Sequence, residues 1–137
     1  MTAPKALERP PIILSETDAE RIGALALRAE ARLPELAELL MQEIDRAEAR
    51  PDHATPPDVA GMGSRVTFLD QGTRRTVELA YPAEADIEAG RISILTPVGA
   101  GLLGLRPGQQ IDWPDREGRS RPLQVVAAYA ATTLPDA

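Results

Sequence analysis

The stretch from Ile92 to Gly108, Ile-Ser-Ile-Leu-Thr-Pro-Val-Gly-Ala-Gly-Leu-Leu-Gly-Leu-Arg-Pro-Gly, leaves the chain few ways to fold. Ile92, Ile94 and Leu95 favour a strand. Thr96 offers a hydroxyl to cap a helix, and Pro97 suits the first helical position, where a missing amide proton costs nothing. Gly104 and Pro107-Gly108 stop any helix after one or two turns. A strand, a sharp turn, a short helix and a second turn must follow one another here. The stretch contains no nucleophile and no cluster of metal ligands, so it reads as architecture and binding surface.

The rest of the chain has to supply a core around that stretch. Hydrophobic residues make up 43% of 137 positions, enough for one compact domain or a small domain with a helical appendage. With one Phe, one Trp and two Tyr, the core must be built mainly from Leu, Ile, Val and Ala. The absence of Cys removes disulfides, thiolate catalysis and cysteine zinc sites, and a lone histidine, His53, excludes the usual zinc constellations. Neither a cofactor nor a resident metal is expected. No apolar run approaches the roughly 20 residues of a membrane span, and the first residues do not resemble a signal peptide. A cytoplasmic protein without a membrane partner is the simplest reading.

The N-terminal third reads as two helices. Ser15-Glu16-Thr17-Asp18 has capping-box spacing, and Ile22, Leu25 and Ala29 follow at helical intervals, predicting a helix from about Glu16 to Arg32. Leu33-Pro34 interrupts it, because proline lacks the amide proton and disfavours helical geometry in the preceding residue. A second helix starts at Glu35, with Leu36, Leu40, Ile44 and Ala47 as its stripe. Two amphipathic helices across a short break predict an antiparallel hairpin, a short coiled coil with arms of roughly 25 Å and 22 Å. Residues 15–50 carry nine acids and five arginines, a net of −4 within the chain's total of −6. No basic stripe suited to direct nucleic-acid binding is present. The acidic segment fits a solvated face or a basic protein partner.

Pro51 to Asp58 is a proline-rich linker by composition, separating residues 1–50 from a β-rich region at 59–137. Arg65–Leu69 and Thr76–Ala80 flank Asp70-Gln71-Gly72-Thr73, predicting a hairpin with Val66, Phe68, Val77 and Leu79 pointing inward. Further strands are expected over Arg91–Leu95, Gln110–Trp113 and Leu123–Tyr129, with a turn at Asp115 to Gly118. One short helix against a curved, mostly antiparallel sheet is an α+β architecture. Trp113 reads as core or edge, His53 as exposed, and Arg74, Arg75, Arg116, Arg119 and Arg121 as solvated rims.

Glu84-Ala85-Asp86, Gly90-Arg91-Ile92-Ser93, Thr96-Pro97-Val98-Gly99, Leu102-Leu103-Gly104 and Gly108 resemble, in this order, the C-terminal domain of the Gre transcript-cleavage factors. That family runs from an acidic connection through Gly-Lys-Ile-Ser, Ser-Pro-Leu-Gly and Ala-Leu-Leu-Gly to Gly-Asp. Here Thr96 replaces the serine, Val98 the leucine, and Gln109 follows Gly108 where an acid is common. The Pro-Val-Gly-Ala and Leu-Leu-Gly-Leu wording and the short acidic hairpin resemble still more the regulator of nucleoside diphosphate kinase (Rnk) family, a Gre relative. The resemblance extends from about Ile12 to Tyr129.

The resemblance implies an FKBP-like C-terminal domain behind the helical hairpin. It implies RNA polymerase as partner, bound near the rim of the secondary channel, with Thr96, Pro97, Val98 and Gly99 as contact residues. In Gre factors, carboxylates at the tip of a long hairpin help to hold a catalytic magnesium. The matching tip here, around Glu30, Arg32 and Glu35, has two carboxylates on short arms, so transcript cleavage is not expected. A non-enzymatic transcription regulator is the leading expectation, as a monomer. The alternatives are a direct regulator of nucleoside diphosphate kinase and, from the implied fold alone, an FKBP-type peptidyl-prolyl isomerase. The four aromatics Phe68, Tyr81, Trp113 and Tyr129 are too scattered to favour the latter.

Overall fold

The computed structural model describes residues 10–114, 117 and 119–130. Strand β1 (Ile13–Ser15) leads directly into helix α1 (Glu16–Ala29), and helix α2 (Pro34–Arg46) returns alongside it to strand β2 (Glu48–Arg50). Ser15 caps α1 as its hydroxyl implies, accepting the Asp18 N–H at 3.0 Å. The first helix ends at Ala29, short of the expected Arg32. Arg32 N–H and Leu33 N–H both turn back to the Ala29 carbonyl, and Pro34 takes the first position of α2. The proline thus opens the second helix, the place where its lost donor is harmless. The arms are 14 and 13 residues, about 21 Å and 20 Å.

Residues that the sequence placed in a linker are tied down. Asp52, in a 3-10 turn over Asp52–Ala54, accepts the Thr17 N–H at 3.2 Å and the Thr17 hydroxyl at 2.5 Å. It therefore satisfies an orphan donor in the first turn of α1 from 35 residues away. Those bonds hold the exposed Asp52 carboxyl below its ordinary value. The short parallel pairing of β1 with β2 was not legible in the sequence. Glu43, counted there in an acidic face, is fully buried. Arg46 donates to both its oxygens, at 3.0 Å and 2.6 Å, and also to the Pro10 carbonyl.

The main sheet contains β3 (Arg65–Asp70), β4 (Thr73–Ala80), β5 (Arg91–Ser93), β6 (Gln110–Pro114) and β7 (Ser120–Tyr129), in the order β5-β4-β3-β7-β6. All pairings are antiparallel except β4 with β5. The β3–β4 turn places Gln71 and Gly72 at φ 54° and 85°, the pair of left-handed residues a two-residue hairpin needs. Val66, Phe68, Val77 and Leu79 point inward and are buried. Helix α3 (Pro97–Leu102) packs on that same face. The N-terminal helices and the curled, mostly antiparallel sheet form the expected α+β architecture. Of the turn expected at Asp115 to Gly118, Asp115, Arg116 and Gly118 lie outside the described residues.

One buried cluster joins the hairpin to the sheet. Ile12, Leu14, Ile22 and Leu40 share it with Leu102, Leu103, Leu105 and Phe68. Ile13 N–H donates to the Gly104 carbonyl at 3.3 Å, Gln109 Nε2 to the Pro11 carbonyl at 3.0 Å, and Met62 N–H to Asp18 at 3.1 Å.

Candidate functional site

The Thr96-Pro97 corner folds as its residue types dictate. Thr96 is the N-cap of α3: its hydroxyl accepts the Gly99 N–H at 3.1 Å and donates to the Ser93 carbonyl at 2.7 Å. Leu95 N–H closes the preceding turn on the Ser93 hydroxyl at 2.9 Å. Gly99 sits so close to Ser93 that an added methyl would overlap the Ser93 carbonyl oxygen. Of the four residues singled out from the sequence, Thr96, Pro97 and Val98 are half-buried at the surface. Gly99 is buried behind them.

A six-residue helix is about 9 Å long, whereas five strands at about 4.8 Å spacing span about 19 Å. α3 cannot cover the whole inner face of the sheet. The uncovered part is a groove of about 700 Å³, and Thr96, Pro97 and Val98 line one wall of it. Opposite stands the 3-10 turn Ile87–Ala89, where Ile87 is 86% exposed at the groove's edge. Ile92, Trp113 and Leu123 supply apolar floor. A concave, mainly apolar surface with a few polar groups is the usual form of a binding site.

The charged groups of the lining include Arg75, Arg121 and Glu117, and Asp70 lies buried against the two arginines. Asp70 is buried, and Arg121 donates to both its oxygens at 2.6 Å. Arg75 stands 3.5 Å from Asp70 and 5.8 Å from the Phe68 ring centroid, half-exposed to the groove. The expectation that these arginines form a solvated rim fails for Arg121. Strand alternation turns it to the core face, where the buried Asp70 carboxylate needs a cation. Arg116 lies outside the described residues. Trp113 is buried as expected, yet one side of it reaches the groove. No sequence signal pointed to Ile87 or Asp70, because both owe their setting to strand register and to the shortness of α3.

The hairpin tip lies elsewhere. Glu30, Arg32 and Glu35 are exposed around the turn between α1 and α2, beside Leu33, and none of them lines the groove. No group of three or more His, Cys, Asp or Glu among the described residues is placed to hold a metal. At the base of the hairpin, burial raises the Asp18 carboxyl above its ordinary value, against the lowering pull of the Met62 N–H. Gly61 leaves the room that this contact needs. Nearby, the Arg21 guanidinium stacks on Tyr81 at 4.7 Å from the ring centroid. No described helix is long and apolar enough to cross a membrane.

Comparison with known proteins matches both parts of the chain. Residues 55–129 fit the family model described as transcription elongation factor, GreA/GreB, C-terminal, and residues 10–49 fit the Rnk N-terminus model. The chain is 42% identical over 123 residues to the regulator of nucleoside diphosphate kinase of Escherichia coli (strain K12), covering 88% of this chain and 90% of that protein. It is 30% identical over 137 residues to transcription elongation factor GreA of Acidiphilium cryptum, covering 90% and 84%. A solved transcription elongation factor GreA/GreB from Nitrosomonas europaea superposes with a TM-score of 0.69 at 34% identity, covering 88% of this chain and 99% of that one. With matching family models on both segments and near-full-length relatives, the chain belongs to the GreA/GreB transcription elongation factor family, on the branch of the regulators of nucleoside diphosphate kinase.

Proposed function

We propose that this chain is a non-enzymatic transcription regulator that docks on RNA polymerase at the rim of the secondary channel and competes there with Gre factors. The observation that carries the reading is the open groove beside Thr96, Pro97 and Val98, with Ile87 standing free at its edge. An exposed apolar side chain next to an apolar groove is the form of a protein-docking surface. Gly99 and the Thr96 cap would serve by holding that wall in place. The hairpin supports the non-catalytic part of the proposal. Arms of about 20 Å end in a solvated tip with Arg32 between its two acids, ill suited to deliver carboxylates to a distant active centre.

The test is retention of purified core polymerase by the immobilised chain, with a Gre factor as competitor. Retention should fall with Val98→Asp and with Pro97→Ala, and stalled elongation complexes should release no cleaved transcript when the chain is added. Absence of retention at micromolar protein would overturn the proposal. The name of the Escherichia coli relative favours a second reading, direct action on nucleoside diphosphate kinase. Co-purification of that kinase with the chain in the absence of polymerase would support it. An isomerase reading gains nothing from the groove. Phe68 lies under Arg75, and Tyr129 is exposed at the end of β7, away from the groove lining. A proline-peptide assay should show no acceleration.

A further inference from the structure

Within the groove, Arg75 stands over an aromatic ring and beside a carboxylate that a second arginine already holds. Phe68 and Asp70 of β3 and Arg75 of β4 point to the same inner face, with Phe68 directly opposite Arg75. Asp70 is already satisfied by Arg121, which takes both its oxygens at 2.6 Å. Arg75 makes only the longer 3.5 Å contact with that carboxylate and rests over the Phe68 ring. Arg75 and Arg121 thus share the buried Asp70 carboxylate, and Arg75 is the more loosely held and more exposed guanidinium of the two. A guanidinium has five N–H donors in a rigid fork. Ile92, Val98 and Leu123 line the same groove.

We infer that Arg75 is a specificity-determining residue of this docking groove, and that the segment of the partner seated in it presents one carboxylate flanked by apolar side chains. The inference rests on the docking reading above. The apolar flanks cover Ile92, Val98 and Leu123, and the carboxylate meets the Arg75 fork, where the planar two-point geometry selects carboxylate over a neutral amide. Among the other charged groups of the lining, Asp86 is paired with Arg91 at 3.9 Å, while the exposed Glu88 and Glu117 repel further acids, so a run of acidic residues is disfavoured. Arg74 provides an internal control. It neighbours Arg75 in sequence, yet it pairs with Leu69 on the opposite face of the sheet and does not line the groove.

The experiment measures affinity of the fluorescently labelled full chain for purified core RNA polymerase, free of nucleic acid, by anisotropy over a salt series. Arg75→Ala should weaken binding about tenfold and flatten its salt dependence. Arg75→Lys should recover only part of the loss, because a point charge cannot reproduce the fork. Arg74→Ala, with the same change in net charge, should alter affinity by less than about twofold. Arg74→Ala should leave the thermal midpoint at the wild-type value and Arg75→Ala should lower it by only a few degrees, since Arg75 is half-exposed and Arg121 keeps Asp70 paired. Equal effects of Arg74→Ala and Arg75→Ala would reduce the role of Arg75 to long-range charge and overturn the inference. So would dependence on Arg75 that appears only when template and transcript are present, which would put a phosphate in the groove. If Val98→Asp abolishes binding while Arg75→Ala leaves it intact, the carboxylate is wrong and the docking site stands. If the wild type does not bind, the docking reading fails and takes this inference with it.

Discussion

Replacing Gly99 by alanine separates architecture from contact at the Thr96-Pro97 corner. The added methyl would fall on the Ser93 carbonyl oxygen and lie 3.1 Å from Thr96 Oγ1 and 3.2 Å from Ile94 Cα. The carbonyl is poorly placed to retreat. Thr96 donates to it at 2.7 Å, Ser93 is paired with Ala80 in the sheet, and Ile94 N–H donates to the Ala80 carbonyl at 2.8 Å. Overpacking of this kind costs about 1–3 kcal/mol, and loss of the Thr96 cap would add about 1 kcal/mol. The better helix propensity of alanine returns up to about 1 kcal/mol. The expected net destabilisation is about 1–3 kcal/mol. For a chain of this size that lowers the thermal midpoint by roughly 3–10 °C. Circular dichroism melts and urea titrations of the wild type, Gly99→Ala and Pro97→Ala provide the measurement. Pro97→Ala should cost less than about 1 kcal/mol, since proline at the first helical position contributes chiefly by restricting the unfolded chain. A Gly99→Ala midpoint within about 1 °C of wild type would refute the steric reasoning, whatever the variant does to binding.

Other expectations follow from the same contacts. Gly104 has φ 82°, and a methyl there would lie 2.7 Å from Ile12 Cβ, whereas Gly72 has φ 85° with open space around it. Gly72→Ala should therefore lose only the strain, about 1 kcal/mol, and Gly104→Ala clearly more; equal losses in urea titrations would argue against close packing of the lead-in on Gly104. Asp18 has a folded pKa raised above 3.8, chiefly by burial. The native state thus holds more protons than the unfolded one between those two values, and the Asp18 contribution to stability is present below 3.8 and lost as pH rises through the raised folded value. Asp18→Asn should remove this loss, so the variant should gain on the wild type as pH rises through that window; a constant difference would refute it. Glu30→Ala and Glu35→Ala, at exposed tip positions, should change stability by no more than about 0.5 kcal/mol and leave polymerase affinity unaltered, so a clear drop in affinity would give the tip a binding role.

Features set by neighbours in the chain were legible before the structure. Ser15 and Thr96 act as caps, Pro97 opens α3, and the alternation of Val66, Phe68, Val77 and Leu79 marks the buried face. What stayed hidden depends on residues far apart in sequence. Asp52 looks like part of a polar linker until it meets Thr17. Glu43 looks solvated until the lead-in brings the Pro10 carbonyl to the other side of Arg46. The site was half legible: Thr96, Pro97 and Val98 announce an exposed corner, but the groove beside them comes from a helix too short for its sheet. That shortness could be read from Gly104, while the width it leaves uncovered could not, since strand order is not a local property.

The segment from Thr96 to Gly104 faces two ways, and this bears on what docking would accomplish. Its first residues form the groove wall. Its last, Leu102 to Gly104, hold the base of the hairpin through Ile12 and the Ile13–Gly104 hydrogen bond. Asp18, Asp52 and Gln109 add polar ties around the same joint. A hairpin fixed by a shared core and by several hydrogen bonds does not swing freely, because separating it would expose Ile12, Leu14, Ile22 and Leu40, each worth about 1.5–3 kcal/mol of burial. A partner seated in the groove therefore sees the hairpin at one set angle. In a factor with a long hairpin that rigidity would aim catalytic carboxylates. Under the docking proposal, with arms of about 20 Å the same joint would aim a short acidic hairpin, and occupancy of the site would be the means of regulation.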